Sequence, residues 1–590
     1  MVLDLRLYRV TLLPFAVLVI IAAFSLHTPA APPASTPSAQ TFDGAQAFAT
    51  MQSLANSYPD RAPGSSGDDA LAAELARGAP PKGFADAGFT SVHIVSSSVE
   101  TTVGAVTVRT VIATRSGTGP GEGIAVIADR GDSAQGAASL APTATLLELA
   151  SVYANLVPHR PLTLVSTSGG ASAMGTVAAL LPPGIEAAIV IGDVSDPAGR
   201  GRFVLPWSAS GGIAPIPLRR AVDAAVGTAL SRHVGDVSLT EQIARLALPL
   251  TTGEQGPLDA AGIPTVLVGA DGETAPGAAP ADAAAIGAFG QGLLSVTAEL
   301  ASASAALPTA PTRDLAFGSQ TLGGWAVRAV VGALLLSLVG CTLDVLARAR
   351  RRRVAVGRWI AWMFGLAVPF ALAGLFAAFL GAGGLLPATP AAAVTPAQLP
   401  VSGSGAAAIV SIALLFTLVW VLRAALLPRT GTRRAPDPLG APAALLVFAS
   451  ATSVLLWLQN PYTAALLIIP AHLWLIVLTR ERERTRAAGA VCLAISLAPF
   501  AAAVGVLCSV LGVEPFALAW TLVLLVAGGG LSPGGLLLAS LSAAAFTGAA
   551  AILLRGGGIS PDERLEVTVR GPLSYAGPGS LGGTESALHR

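Results

Sequence analysis

Three kinds of hydrophobic pattern follow one another along the chain. Val10 to Leu26 is an almost unbroken apolar run, short apolar stretches then alternate with polar ones, and long apolar runs return beyond Trp325. Such runs are typical of membrane helices, whereas the alternation is typical of a folded domain. The pattern divides the chain into a membrane anchor (1–27), a Pro/Ala/Ser-rich linker (28–41), a domain (42–307), a second linker (308–324), a membrane region (325–555) and a flexible tail (556–590).

The first apolar run favours an uncleaved anchor. It is longer than the apolar part of a signal peptide, about 7–15 residues, although Ala30-Ala31 offers a cleavage site under the alternative of a cleaved signal. Arg6 and Arg9 precede the run, and a positive flank remains in the cytoplasm. We therefore expect a cytoplasmic N-terminus, with residues 28–324 outside the cytoplasm.

The middle region predicts an α/β domain. Runs with helical spacing are expected at Ala45–Tyr58, Asp68–Arg77, Thr143–Leu156, Ala171–Leu181 and Ala281–Ala303. Short β-branched runs predict strands at Ser91–Ser96, Val106–Thr114, Gly123–Ala128, Leu162–Thr167, Ala187–Gly192 and Ile263–Val268. Strands that alternate with helices predict a mainly parallel central sheet flanked by helices.

The last region predicts a polytopic α-helical membrane domain of about seven to eight helices. Candidate spans are Trp325–Leu346, Trp359–Leu380, Ala406–Ala425, Leu439–Leu458, Tyr462–Leu478 and Ala488–Leu511. Phe516 to Leu554 is too long for one span, and Gly528-Gly529-Gly530 predicts a hairpin or re-entrant turn at its centre. Arginine clusters at 348–353, 429–434 and 480–486 follow every second span, which predicts a multi-pass plasma-membrane protein with these loops in the cytoplasm. The side of the tail stays open.

Composition agrees with this division. The chain is 53% hydrophobic and 12% charged, whereas soluble proteins carry about a quarter charged residues. A net charge of +1 gives no argument for nucleic acid, and the lipid bilayer is the expected partner. Abundant Ala and Gly and a single lysine, Lys82, suggest a bacterial source. Cys341, Cys492 and Cys508 lie in apolar runs, so we interpret them as buried hydrophobic side chains.

A series of short motifs in the α/β region carries a family resemblance. In order, they are Arg61-Ala62-Pro63-Gly64-Ser65, Val111 to Thr114, Ile124 to Ala128, Asp132-Ser133, Gly136-Ala137, Leu146 to Ala150, Pro161 to Val165, and Gly262-Ile263-Pro264. Their order and spacing resemble the zinc-dependent aminopeptidases related to glutamate carboxypeptidase. The resemblance covers about residues 42–303 and implies a zinc-aminopeptidase-like fold. It also implies two zinc ions, held by two histidines and three carboxylates beside a glutamate base.

Most of these implied site residues are absent. The chain has Asp129-Arg130-Gly131 in place of the first histidine, Ala138-Ser139-Leu140 in place of the bridging aspartate, Ser168 to Ala171 in place of the two glutamates, and no histidine in 270–281; only Asp193 matches. Arg130 is a permanent cation where a metal would lie. We therefore expect no catalytic residue, no cofactor-binding residue and no bound metal. Zinc is expected only under the alternative hypothesis that the domain is an active peptidase.

Loop aspartates and three histidines are the remaining candidates for metal binding. Asp129, Asp132 and Asp193 are vestigial metal candidates; with Asp196 they are a possible calcium set, although loop aspartates more often cap helices and turns. His93, His159 and His233 have no partner at ligand spacing, which favours structural roles.

The order of anchor, exported peptidase-like domain and polytopic bundle also resembles the peptidase-like subunit of the eukaryotic GPI transamidase. The leading hypothesis is a catalytically inactive domain (a pseudoenzyme) that binds or scaffolds a peptide, a protein or a lipid-linked partner. One alternative is a membrane-bound metallopeptidase or amidohydrolase with a site built from Asp129, Asp132 and Asp193. The other is a transporter with an exported sensor domain and a role for His472, which lies within a candidate span.

Overall fold

The structure is a computed structural model. It describes residues 5–28, 40–77, 83–119, 122–131, 136–196, 202–232, 237–274, 280–303, 310–426, 440–479 and 485–555. Asp132, His233, Lys82, the tail and most residues of the second and third arginine clusters therefore lie outside the described residues.

A seven-stranded sheet forms the centre of the α/β domain. Its strands are β1 (Ser91–Thr101), β2 (Gly104–Arg115), β3 (Gly123–Asp129), β4 (Leu162–Thr167), β5 (Ile185–Ile191), β6 (Val204–Leu205) and β7 (Thr265–Val268). Their order across the sheet is β1-β2-β4-β3-β5-β7-β6. A separate two-stranded sheet consists of β8 (Leu315–Phe317) and β9 (Gln320–Leu322).

The α/β prediction is confirmed, but the sheet is mixed and not mainly parallel. Strands β4, β3, β5 and β7 are parallel neighbours, whereas β1, β2 and β6 pair in antiparallel fashion. The antiparallel pair β1–β2 arises because Thr102 and Val103 form a two-residue turn, and Gly104 follows at φ +115°. So short a connection can join only antiparallel strands. Both strands are predicted from the sequence, whereas this direct connection between them is not.

Helices cover both faces of the sheet. They are α2 (Gly44–Ser57), α3 (Ser66–Arg77), α4 (Ala141–Tyr153), α5 (Ala171–Leu180), α6 (Ile216–Ala229), α7 (Leu239–Ala247), α8 (Gln255–Ala260) and α9 (Ala283–Ser302), with α1 (Leu5–Phe24) preceding them. Alternate side chains of β3 enter different cores: Ile124 and Val126 pack with α2, α4 and α9, whereas Ala125 and Ile127 pack with α5, α7 and α8. Burial on both faces explains the continuous apolar runs of the central strands.

No element was predicted between β5 and β7, yet the structure places β6, α6, α7 and α8 there. α7 has a strongly two-sided pattern, and Ser238 caps it by accepting a hydrogen bond from the Glu241 amide at 3.2 Å. The sequence shows no extended helical period of apolar residues here, because α7 is short and a polar segment precedes it.

Among the described residues after the domain, the structure has eight further helices. They are α10 (Gly324–Arg351), α11 (Val356–Ala382), α12 (Gly403–Leu426), α13 (Gly440–Gln459), α14 (Pro461–Leu478), α15 (Arg486–Leu511), α16 (Pro515–Ala527) and α17 (Pro533–Leu553). Gly528 to Ser532 forms the turn between α16 and α17. Within the described residues, nine helices are long and apolar enough to cross a membrane. One of them, α9, packs in the domain core through Ile286, Phe289 and Leu293.

The α/β domain lies directly against the helical bundle. Tyr462 and Leu466 of α14 belong to the same apolar cluster as Leu246 of α7. The Asn460 amide donates to the Leu246 carbonyl at 2.6 Å, and the Thr463 hydroxyl donates to the Ala247 carbonyl at 2.6 Å. These contacts join the end of α7 to the beginning of α14.

Candidate functional site

The carboxyl ends of the four parallel strands form the candidate site, which we call the carboxyl edge. β3 ends at Asp129 and β4 at Thr167, while Gly192 and Gly269 follow β5 and β7. Parallel strands bring such ends to one edge, and ligands of open α/β sheets bind there. Asp129 and Asp193 lie at this edge, as the strand ends require.

Arg130 is buried at this edge in an ion pair with Asp68. Its Nε lies 2.6 Å from Asp68 Oδ1 and its Nη2 lies 3.2 Å from Asp68 Oδ2, and both side chains are fully buried. The guanidinium also donates to the Ser166 carbonyl at 3.0 Å and to the Arg109 carbonyl at 2.7 Å. Its charge is therefore compensated by Asp68, a partner that the sequence analysis did not connect with it.

Asp68 is held by further donors. The Ser168 hydroxyl, just after β4, donates to Asp68 Oδ2 at 2.7 Å. Asp68 lies in the first turn of α3, where the helix dipole stabilises a negative charge. Arg130, Asp68 and Ser168 thus form one hydrogen-bonded cluster across β3, β4 and α3.

Asp129 accepts hydrogen bonds from two glycine amides. The Gly131 amide donates to its Oδ2 at 2.9 Å, and the Gly170 amide donates to its Oδ1 at 3.2 Å. Gly131 and Gly170 adopt φ +66° and +57°, left-handed conformations that glycine adopts at little cost. The turn after β3 and the turn after β4 therefore both converge on this one carboxylate.

Glu254, immediately before α8, is a further carboxylate near the carboxyl edge. A Cβ placed on Gly170 would lie 3.9 Å from Glu254 Oε1, so Glu254 faces the turn that also contacts Asp129. Its Oε2 is buried and has no hydrogen-bond partner among the residues that the structure describes. Sequence reasoning missed Glu254 because Thr251 to Glu254 is a polar loop without periodicity or motif.

The two carboxyl groups influence each other's ionisation. Burial raises the pKa of Asp129 to about 6, although the Gly170 and Gly131 amides act in the opposite direction. Burial, followed by the negative charge of Asp129, raises the pKa of Glu254 well above its ordinary value. Near neutral pH this pair therefore holds a proton more readily than two exposed carboxylates would.

A buried ion pair positions the Glu254 loop. Arg245 of α7 pairs with Glu273, which follows β7, and the Thr251 hydroxyl donates to the same carboxylate. The Arg245 guanidinium also lies 5.4 Å from the centre of the Trp207 ring. These contacts connect the segment before Glu254 both to the carboxyl edge and to α7.

The other candidates from the sequence do not join Asp129 in a ligand set. Asp193 Oδ1 accepts from the Ser195 amide at 2.8 Å and from its hydroxyl at 2.7 Å, which makes it a local turn cap. His93 is exposed on the edge strand β1, and His159 precedes β4 at the opposite end of the sheet. Within the described ranges, no group of three or more His, Cys, Asp or Glu residues is arranged to hold a metal ion.

His472 lies in the bundle and has two partners. Its Nε2 lies 3.1 Å from the Ser337 hydroxyl of α10, and its Nδ1 lies 2.9 Å from the Ile468 carbonyl. The histidine thus links α14 to α10.

Comparisons with known proteins give structural similarity only. No family model matches the chain, and no curated protein matches it. A glutaminyl cyclase from an Acidobacteriales bacterium is 16% identical, covers 44% of this chain and 96% of its own, and has a TM-score of 0.35. A putative zinc-dependent exopeptidase from Bacteroides vulgatus is 16% identical, with coverages of 44% and 98% and a TM-score of 0.32.

A zinc aminopeptidase from Bacillus subtilis is 9% identical, with coverages of 46% and 98% and a TM-score of 0.35. These TM-scores are too low to transfer a residue or an activity to this chain. The similarity to the GPI transamidase subunit is not tested by these structures and stays a prediction.

Proposed function

We propose that the chain is a multi-pass plasma-membrane protein whose exported α/β domain binds or scaffolds a partner and does not carry out zinc-dependent hydrolysis. The partner is a peptide, a protein or a lipid-linked molecule. The buried Arg130–Asp68 pair is the observation that carries this proposal.

Arg130 stands where the resemblance implies a metal-binding histidine. A guanidinium has no lone pair to offer to a metal, and this one is committed to Asp68 and to two carbonyl oxygens. Zinc sites in enzymes use three protein ligands of nitrogen, sulfur or oxygen. The described carboxylates at the carboxyl edge are not arranged as such a ligand set, because Asp129 and Asp193 accept hydrogen bonds from local donors and Glu273 pairs with Arg245. They therefore do not fit the zinc pair that the resemblance implies.

The contacts between domain and bundle support a binding role close to the membrane. Asn460 and Thr463 donate hydrogen bonds to backbone carbonyls at the end of α7. Tyr462 donates one to a backbone carbonyl in the segment before α10. A domain fixed in this way holds its carboxyl edge at a constant position relative to the bundle.

The test uses the full-length protein, purified in detergent and supplied with zinc. We expect less than stoichiometric zinc by metal analysis and no chelator-sensitive hydrolysis of aminoacyl anilides. Stoichiometric zinc together with hydrolysis that is lost in Asp129→Asn, but kept in the exposed control Asp86→Asn, would overturn the proposal.

A hydrolase with an altered site is the second candidate, and the unpartnered Oε2 of Glu254 is the observation that favours it. A buried carboxyl group whose pKa is raised well above its ordinary value can hold a proton for general acid–base chemistry. Metal-independent cleavage of a peptide or amide that disappears in Glu254→Gln would support this candidate over the first. No comparable observation favours the transporter hypothesis, because both ring nitrogens of His472 have structural partners.

A further inference from the structure

An open surface pocket, which we call the cavity, lies where the α/β domain meets the helical bundle, and it has both polar and apolar lining residues. Its volume is about 340 Å³, and it is lined by Thr312, Arg313, Asp314, Trp325, Arg328 and Pro461. The first three belong to the segment that leaves the domain, and the others lie at the beginnings of α10 and α14. A cavity of this volume falls in the range of ligand sites, about 300–1,000 Å³.

Two guanidinium groups line this cavity without a carboxylate partner. Arg313 Nη1 donates to the Gln459 carbonyl at 3.1 Å, and Arg328 Nη2 donates to the Leu458 carbonyl at 3.4 Å. Neither forms an ion pair within the part of the chain that the structure describes. Each guanidinium carries five N–H donors, so both keep donors for an anion. Asp314 is the one acidic lining residue, and its Oδ1 accepts from the Gly324 amide at 2.8 Å.

Both cationic side chains are held in place. The Arg328 guanidinium lies 4.8 Å from the centre of the Trp457 ring, and Trp457 Nε1 donates to the Arg328 carbonyl at 2.9 Å. Arg313 reaches the last residue of α13. Fixed guanidinium forks match the oxygen geometry of a phosphate and donate charge-assisted hydrogen bonds to it.

Thr312, one of the lining residues, is anchored to the α/β domain. The Thr312 hydroxyl is buried and has no hydrogen-bond partner among the described residues. The backbone at Thr312 is fixed by hydrogen bonds in both directions with Ile213 of the α/β domain, at 2.8 and 2.9 Å. The segment that carries Arg313 is therefore fixed to the domain.

The rim of the cavity is apolar and faces outward. Trp325 is 59% exposed, and Leu458, whose carbonyl accepts the Arg328 hydrogen bond, is 55% exposed. Tryptophan is enriched at the level of lipid headgroups. A cationic cavity beside an apolar outer surface fits a phospholipid, whereas a soluble phosphate would use only the cationic part.

We infer that this cavity binds the phosphate of an anionic phospholipid, with the acyl chains along the outer surfaces of α10 and α13. The inference rests on the membrane placement in the proposed function. It does not depend on the catalytic state of the α/β domain. It also gives a role to Arg328, near the beginning of α10, and to Arg313, in the segment before α10. Both lie on the side opposite the cluster at 348–353, where the positive-inside rule does not call for arginine.

The test uses full-length protein in phosphatidylcholine nanodiscs that contain increasing amounts of brominated phosphatidylglycerol. Bromine quenches tryptophan at short range, so the difference between the parent protein and Trp325→Phe reports occupancy at the cavity. We expect quenching of Trp325 to show a preference for phosphatidylglycerol of about tenfold or more, as one charge-assisted hydrogen bond supplies. The variant Arg313→Gln/Arg328→Gln should lose this preference, and Arg328→Lys, which keeps the charge but not the fork, should lose part of it.

The matched control is Arg109→Gln/Arg232→Gln, which removes the same charge from the domain surface. An equal loss of preference in this control would overturn the inference, because net charge would then explain the binding. Displacement of the lipid by millimolar glycerol 3-phosphate would also overturn it, since the site would then be one for soluble phosphate.

Resistance to alkaline carbonate extraction is measured first. A protein that is extracted contradicts the membrane placement, and with it the proposed function. An inserted protein without lipid preference contradicts the present inference alone. Size-exclusion profiles and thermal midpoints identify any variant that fails to fold, and in that case Arg328→Lys and Trp325→Phe carry the test.

Discussion

The Asn460 side chain joins the helical bundle to the α/β domain while it also begins a helix. Its Nδ2 donates to the Leu246 carbonyl at 2.6 Å, and its Oδ1 accepts from the Tyr462 amide at 3.0 Å. The first bond crosses to the end of α7, and the second caps the N-terminus of α14. One amide side chain therefore couples the position of the domain to the start of α14.

Asn460→Asp separates these two roles. The aspartate keeps the capping acceptor but replaces the donor toward Leu246 with a second oxygen, so the two carbonyl-type oxygens repel each other. We expect α7 to loosen, with faster amide hydrogen exchange across residues 239–250, while α14 stays protected. The measurement is hydrogen exchange by mass spectrometry on the full-length protein.

Thr485→Ala is the matched control for this substitution. Thr485 caps α15 by accepting from the Ala488 amide at 3.2 Å and is exposed. Losing this cap should cost about 1 kcal/mol and leave exchange in α7 unchanged. Equal exchange of α7 in Asn460→Asp and in the parent protein would show that the Asn460–Leu246 bond does not hold the domain.

The Arg130–Asp68 pair predicts a large loss of stability when one partner is removed. Arg130→Met leaves the Asp68 charge fully buried without its partner, which costs about 3–5 kcal/mol. Arg130→Met/Asp68→Leu removes both charges, and we expect it to be closer to the parent protein than the single variant. Chemical unfolding of the purified protein, followed by the near-UV signal, measures both.

The neighbouring surface pair provides the control. Arg109 Nε lies 3.2 Å from Asp69 Oδ1, and the two side chains are 41% and 31% exposed. Arg109→Gln should cost less than about 1 kcal/mol, because solvent screens this pair. Similar losses for Arg109→Gln and Arg130→Met would contradict the structural importance assigned to the buried pair.

Much of the α/β fold follows from the pattern of the strands. Ile124 to Ala128 is a short apolar run because both of its faces are buried, and a strand with this pattern needs helices on either side. The position of Asp129 at the carboxyl edge follows from the same pattern, since it ends that strand. The strand and the position of Asp129 can be predicted because both depend on the periodicity of residues that are neighbours in the sequence.

The interior of the candidate site did not follow from the sequence. Asp68 and Arg130 are 62 positions apart, and they meet only because α3 packs beside β2. Glu254 lies in a polar loop whose position depends on the Arg245–Glu273 pair, which closes across the domain. Such contacts arise from tertiary packing, and no local period encodes them.

Ser337→Ala tests the role of His472 in the bundle. The substitution removes the hydroxyl that lies 3.1 Å from His472 Nε2, and hydrogen bonds between membrane helices contribute about 0.6 kcal/mol on average. We therefore expect a small fall in the thermal midpoint. Thr342→Ala, which breaks the 3.0 Å contact between Thr342 and Ser450, is the control and should have a similar effect. A much larger effect at Ser337 would indicate a functional network at His472.

Glu254 predicts that the domain loses stability as the pH rises. Burial and Asp129 raise its pKa in the folded state, and burial raises the pKa of Asp129 to about 6, so the folded protein binds more protons than the unfolded chain. With a folded pKa above the unfolded value, the slope of unfolding free energy against pH is negative, and stability falls from about pH 4 upward.

Glu254→Gln removes one of these charges, and we expect it to stabilise the domain by about 1–3 kcal/mol at pH 8 and to have little effect at pH 4. Thermal midpoints from pH 4 to pH 8 measure this difference, with the exposed Glu100→Gln as control. Identical curves for Glu254→Gln and the parent protein would show that burial does not raise the pKa of Glu254 in the folded domain.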